Sequence, residues 1–148
     1  MRIIIAIAFA VALWPAAAGA QSIKSVLEEF GLLNGSWASD CSKGVSTSNW
    51  YGRYRMMPNG EARLTYSSKP DSSGDNVYLI RLARRLSDKE VLLAEEFVRA
   101  KRTLEVVLRV EGDRYHTISV KRPDGVYQVK DGKYADDGRP SPWLQRCR

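Results

Sequence analysis

The side chains able to do acid–base, nucleophilic or metal chemistry in this chain are few. His116 is the only histidine. A zinc-type site needs more nitrogen or sulfur ligands than one imidazole and two paired cysteines supply, so no metal site is expected. A serine or cysteine hydrolase needs a positioned base, and His116 is the sole candidate. Alternation groups His116 with Ile118 and Val120, on the apolar face of a strand, as a core or rim residue. Glu95 and Glu96 form a carboxylate pair, but neighbours in a strand point to opposite faces and cannot serve one substrate as acid and base. Whichever of the two faces inward has Arg81 or Arg84 as a cross-strand partner, and such a buried pair is costly unless well hydrogen-bonded. The other reading is a solvated salt bridge. The chain does not read as an enzyme, and no cofactor is expected.

Binding chemistry is better represented. Tyr54, Tyr66 and Tyr78 fall on the same parity of three successive strand-like segments. With Met56 and His116 they either line a cavity with a few polar handles, as ligand sites usually do, or fill a narrow barrel solid. In the first case the ligand is a small apolar or amphipathic molecule. Basic residues cluster at Arg81, Arg84 and Arg85, at Arg99, Lys101 and Arg102, and at Lys121 and Arg122, within a formal net charge of +6. The last two clusters fall at turns and can share one rim, open to an anionic partner. A solvated surface is the plainer reading. Aromatic residues are not interleaved with these clusters as single-stranded nucleic acid would require, so nucleic acid is not an expected partner.

The elements that must position these residues begin after a leader. Arg2, the apolar run Ile3–Trp14 and the Ala18-Gly19-Ala20 triplet have the form of a signal peptide over residues 1–20. The run is short for a membrane span, which needs about 20 apolar residues. Taking those twenty from 148 leaves 128 residues, 21–148, the size of one domain and expected as a monomer. A leader implies a periplasmic or secreted protein, where disulfides are permitted. Cys41 and Cys147 are the only pair available and stand 106 residues apart. A bridge between them would fasten the first strand to the tail.

Ser22–Leu33 reads as a short helix, with Ile23, Val26, Leu27 and Phe30 on one face, a serine cap and Gly31 as the stop. Too short to stand alone, it is expected over the open end of a barrel. Gly35 allows a close turn, and Trp37 is a large buried plug whose indole N–H needs an acceptor. Alternating segments follow at 50–57, 61–67, 76–86, 103–111, 114–121 and 126–130, separated by turn residues such as Pro58-Asn59-Gly60 and Gly112-Asp113. In 76–86, Tyr78, Ile80, Leu82 and Leu86 share a face, and one of Arg81, Arg84 and Arg85 is expected to turn inward. Val91–Arg99 reads as a strand because its neighbours are strands, with a helix as the alternative that its Leu and Glu content supports. About eight strands joined by hairpin-length turns give a mainly β, antiparallel up-and-down barrel with a short N-terminal helix.

With its lead-in helix, its strand count, its late cysteine and the Gly35-Ser36-Trp37 match to the G-x-W of a first barrel strand, the chain resembles the lipocalin or calycin superfamily. It departs from that group in having no room between Val126 and Trp143 for a late helix. It is more similar to the small exported lipocalin-like proteins of bacteria. The resemblance implies an interior that takes a small apolar or amphipathic molecule. The alternative is a protein-interaction or inhibitor module of the cell envelope, with a solid core and contacting loops.

Overall fold

The structure is a computed structural model that describes residues 21–148. The expected signal peptide, 1–20, lies outside the described residues. The chain opens with α1 (Ile23–Glu29), capped by the Ser22 hydroxyl, which accepts from the Ser25 N–H at 3.1 Å. The helix is shorter than its apolar pattern. Gly31 turns into the left-handed region at φ +64°, and the amide of Leu32 bonds back to the carbonyl of Leu27.

Ten strands follow: β1 (Ser36–Ala38), β2 (Tyr51–Met56), β3 (Ala62–Ser67), β4 (Asn76–Arg85), β5 (Glu90–Phe97), β6 (Arg102–Glu111), β7 (Arg114–Lys121), β8 (Tyr127–Lys130), β9 (Lys133–Tyr134) and β10 (Leu144–Cys147). From β1 to β9 each strand pairs antiparallel with the next. β10 closes the ring by pairing with β1 on one side and with the first residues of β7 on the other. Eight strands therefore enclose the core as a closed antiparallel barrel, and β8–β9 is a hairpin hung from the last residues of β7. Val91–Arg99 is strand, as β5 over Glu90–Phe97, because pairing with β4 and β6 on both edges overrides its mixed propensity. β9 and β10 lie in segments that the sequence pattern leaves as turn and tail.

The core runs through the barrel axis. Val26, Leu27 and Phe30 of α1 join Leu64, Ile80, Leu93 and Leu108 from the strands, so the helix plugs one end. An ion pair between Glu29 and Arg85, 3.1 Å, ties it to the end of β4. The other end, the mouth, gathers the loops at 39–50, 68–75, 98–101 and 135–143.

Two register shifts overturn expectations built on strict alternation. In β4 the ladder slips between Ile80 and Leu82, so Ala83 takes the inward position and Leu82 and Leu86 are exposed. Arg81 and Arg84 stay on the outer face, whereas Arg85 pairs with inward Val91 and takes the inward parity at the helix-plugged end, where it meets Glu29. In β7, Thr117 pairs with Leu108 and Ser119 with Val107, leaving Ile118 as the extra residue of a bulge. Tyr115 before the bulge is fully buried and Val120 after it packs on the core. His116 therefore points outward, not into the barrel.

Candidate functional site

The lower half of the interior is filled. Trp37 packs edge-on against Tyr115 with ring centroids 5.0 Å apart, and Tyr54 meets Tyr115 at 6.3 Å. The Trp37 indole N–H donates to the Leu32 carbonyl at 3.3 Å, the acceptor its burial requires. Arg146 lies over the outer face of the indole, 4.7 Å from the ring, and donates to the Gly31 carbonyl. A side chain at Gly35 would meet Arg146 at 3.2 Å and the indole nitrogen at 3.4 Å, so Gly35 is the residue that lets this stack close. Of the sequence-predicted ligand residues, Tyr54 belongs to this packed region and Met56 lies at the helix-plugged end, against the core cluster. Neither reaches the mouth.

Tyr66 and Tyr78 do. Tyr66 lies across its pairing partner Gly52, where a Cβ would fall 2.9 Å from the ring, and its hydroxyl stands 3.4 Å from that of Tyr115. Tyr66 and Tyr78 meet edge to face at 6.1 Å, and Tyr78 stacks on Phe97 at 4.9 Å. Above them is a cavity of about 420 Å³ walled by Tyr66, Thr117, Trp50, Tyr134, Pro142 and Leu144. Trp50 is held there by the loop before β2. Buried Asn49 accepts from Ser39 and Asp40 and donates to the carbonyls of Asp40 and Lys43, and the Trp50 N–H donates to Thr47 at 2.8 Å. Tyr66 and Thr117 also wall a second recess of about 180 Å³, whose other sides include Tyr78, Glu95, Leu104 and Gln128.

Glu95 is the charged residue of the interior. It is 5% exposed, and its ladder neighbours are Ile80 and Leu104. Among the described residues nothing donates a hydrogen bond to its carboxyl and no cation pairs with it. The Arg81 partnership open to it in the sequence belongs to Glu96, which meets Arg81 at 2.6 Å on the outer face as an exposed ion pair. Burial pushes the Glu95 carboxyl up to about 8, because the charged form has lost its water and gained no partner. Burial likewise drives Tyr54, Tyr66 and Tyr115 well above the usual phenol range, with the neighbouring phenols and Glu95 adding to it. Tyr78 is raised by the same burial and by Glu95, against an opposing pull from Arg102.

His116 sits outside, under the tail. Its ring lies 4.0 Å from that of Trp143, and Nδ1 is 3.2 Å from the Ser141 hydroxyl. That hydroxyl donates its one proton to the Thr117 carbonyl at 2.6 Å, so the Nδ1–H must be the donor to Ser141. A serine whose proton is committed to a carbonyl, facing an imidazole N–H, is not an activated nucleophile. The pair pins the 135–143 loop to the barrel wall. Desolvation first, then Arg109, holds the His116 pKa below its ordinary value.

The remaining expected features fall as follows. Cys41 and Cys147 are bonded, with Cα atoms 5.3 Å apart, joining the loop after β1 to the end of β10. The turns carrying Arg99, Lys101 and Arg102 and carrying Lys121 and Arg122 are both at the mouth, as the pairing of Glu105 with Lys121 requires. Tyr115, Thr117 and Trp50 were not legible as site residues. The bulge hides the parity of the first two, and Trp50 is placed by a loop. Comparison with family models, with curated proteins and with solved structures finds no match for this chain.

Proposed function

We propose that this chain is an exported, lipocalin-like barrel whose mouth binds a small apolar or amphipathic molecule without transforming it. The observation that carries the reading is the aromatic-walled cavity of about 420 Å³ at the one end the helix does not plug. Its volume lies in the ordinary range of small-molecule sites, and its walls combine large apolar faces with a few hydroxyls. The Cys41–Cys147 bond fits an oxidising compartment outside the cytoplasm. Native mass spectrometry of protein purified without denaturation tests it. An adduct of a few hundred daltons that is lost in Trp50→Ala and Tyr66→Ala supports the site. A clean apo mass, with no displaceable binding of anilinonaphthalene sulfonate, overturns it.

A second reading has its own observation. Arg99, Lys101, Arg102, Lys121 and Arg122 gather at the same end as the cavity, which favours an acidic partner docking on the rim. Replacing Arg99, Lys101 and Arg102 with glutamine should then abolish a salt-sensitive complex while leaving any small-molecule adduct in place. An adduct with no salt-sensitive complex leaves the first reading alone.

A further inference from the structure

Resting on the reading of the mouth as a ligand site, we propose that the adjoining recess, which shares Tyr66 and Thr117 with it, takes an organic cation. A primary ammonium group seats on the Glu95 carboxylate beside the rings of Tyr66 and Tyr78, and its apolar chain runs past Tyr66 towards Trp50 and Leu144. Glu95 is the one charged side chain among the buried residues described, and nothing among the described residues answers it. A merely filled barrel would carry an apolar residue there, as β5 does at its other inward positions, Val91 and Leu93. Yet the glutamate lines a recess of about 180 Å³, far larger than one water needs and comparable to cavities that admit a small organic molecule. Two of its other walls are tyrosine rings, whose negative faces attract cations most strongly where water is excluded. The fold gives the carboxyl no counter-charge among the described residues, so an entering ammonium supplies the partner that its burial lacks.

The groups that face Glu95 are phenols: Tyr54 from β2, Tyr66 from β3, Tyr78 from β4 and Tyr115 from β7. None is a cation, and all are driven towards the neutral form. The nearest cation on the inward parity is Arg102 at the start of β6, which is exposed and makes no ion pair with Glu95 among the described residues. The rim cations are exposed to solvent and screened within a Debye length of about 8 Å, so they slow a cation's approach more than they weaken its final contact. At pH 7 the free carboxyl holds its proton most of the time. Seating an ammonium ion keeps it ionised, so one O–H bond opens and close to one proton passes to the buffer for each molecule bound.

Titration calorimetry of the intact protein with hexylamine and with 1-hexanol, at pH 7 in phosphate and in Tris, tests this. Hexylammonium should bind with nearly one proton released, read from the difference between the two buffers. Its affinity should rise about tenfold from pH 6 to 7 and level off above 8. Glu95→Gln should lose at least about tenfold in hexylammonium affinity and keep its affinity for 1-hexanol, which also certifies that the variant is folded. If 1-hexanol binds as tightly as hexylammonium and no proton leaves, the cation site is overturned and the mouth remains a ligand site. If neither binds at millimolar concentration, both readings fall.

Discussion

Glu95 ties the chemistry of the mouth to the stability of the barrel. Its carboxyl titrates near 4.5 in the unfolded chain and at about 8 in the folded one, so between those values the folded state holds more protons. Stability is then fully present below pH 4.5 and is lost as pH rises towards 8, by about 5 kcal/mol at most. Urea melts at pH 5, 7 and 9 should show this fall, and Glu95→Gln should flatten it. A wild-type profile that is level from 5 to 9 would mean that the carboxyl is better solvated than its burial implies. His116 acts in the opposite sense. Its folded pKa is lowered, so the stability tied to its neutral form is present above pH 6.5 and lost as the pH falls through the folded value. The profile of Glu95→Gln should therefore retain a shallow rise with pH below 6.5. Tyr66 and Tyr78 were readable as inward residues because the alternation around them is unbroken. What the sequence could not show is which of Glu95 and Glu96 faces inward, nor that it stays alone: the Ile80/Leu82 slip leaves Arg81 outside with Glu96, and Arg85 reaches Glu29 at the helix end.

At the scale of the element, the bulge at Ile118 is the feature that alternation cannot reveal. Ile118 and Val120 are both apolar, so a period of two carries the inward label back to His116. The inserted residue reverses that parity and makes Tyr115 the inward residue, packed edge-on against Trp37. The two assignments differ measurably. Tyr115→Ala should cost about 3–5 kcal/mol, in the range of large aromatic truncations in a core. His116→Ala, which removes an outer-face stack on Trp143, should cost about 1 kcal/mol or less. Comparable losses from both would contradict the bulge. The helix was legible as an element and as a plug because its i, i+3, i+4, i+7 face is clean. Its stop was legible too, since Gly31 leaves helical geometry at φ +64°, and only the span as far as Leu33 was too long. Leu27→Ala should cost about 2–5 kcal/mol if the helix closes the barrel. Ser22→Ala, removing only the cap bond, should cost about 1 kcal/mol.

For the whole molecule, the weak place is the seam. β4, β5 and β6 are joined by long ladders, whereas β10 meets β1 over Ser36, Trp37 and Ala38 and meets β7 only at Arg114 and Tyr115. Few residues there resist opening, and β10 and β1 are short. The Cys41–Cys147 bond spans 106 residues and lands on the last residue of β10, so it holds the seam shut and shortens the unfolded chain. For a loop of about 100 residues the chain-entropy account gives about 4.7 kcal/mol, with measured cases commonly nearer 2–4. Replacing both cysteines with serine should lower the unfolding free energy by an amount in that range. The location of the effect separates seam from entropy. If the bond acts through the seam, the amides of Trp37 and Arg146 should lose hydrogen-exchange protection before those of Leu93 and Val106, which lie mid-strand between paired neighbours. A uniform loss across all strands would place the whole effect in the unfolded state. Because Leu144 of β10 also walls the mouth cavity, an opened seam should weaken capture of the proposed ligand at denaturant concentrations where β4–β6 remain intact.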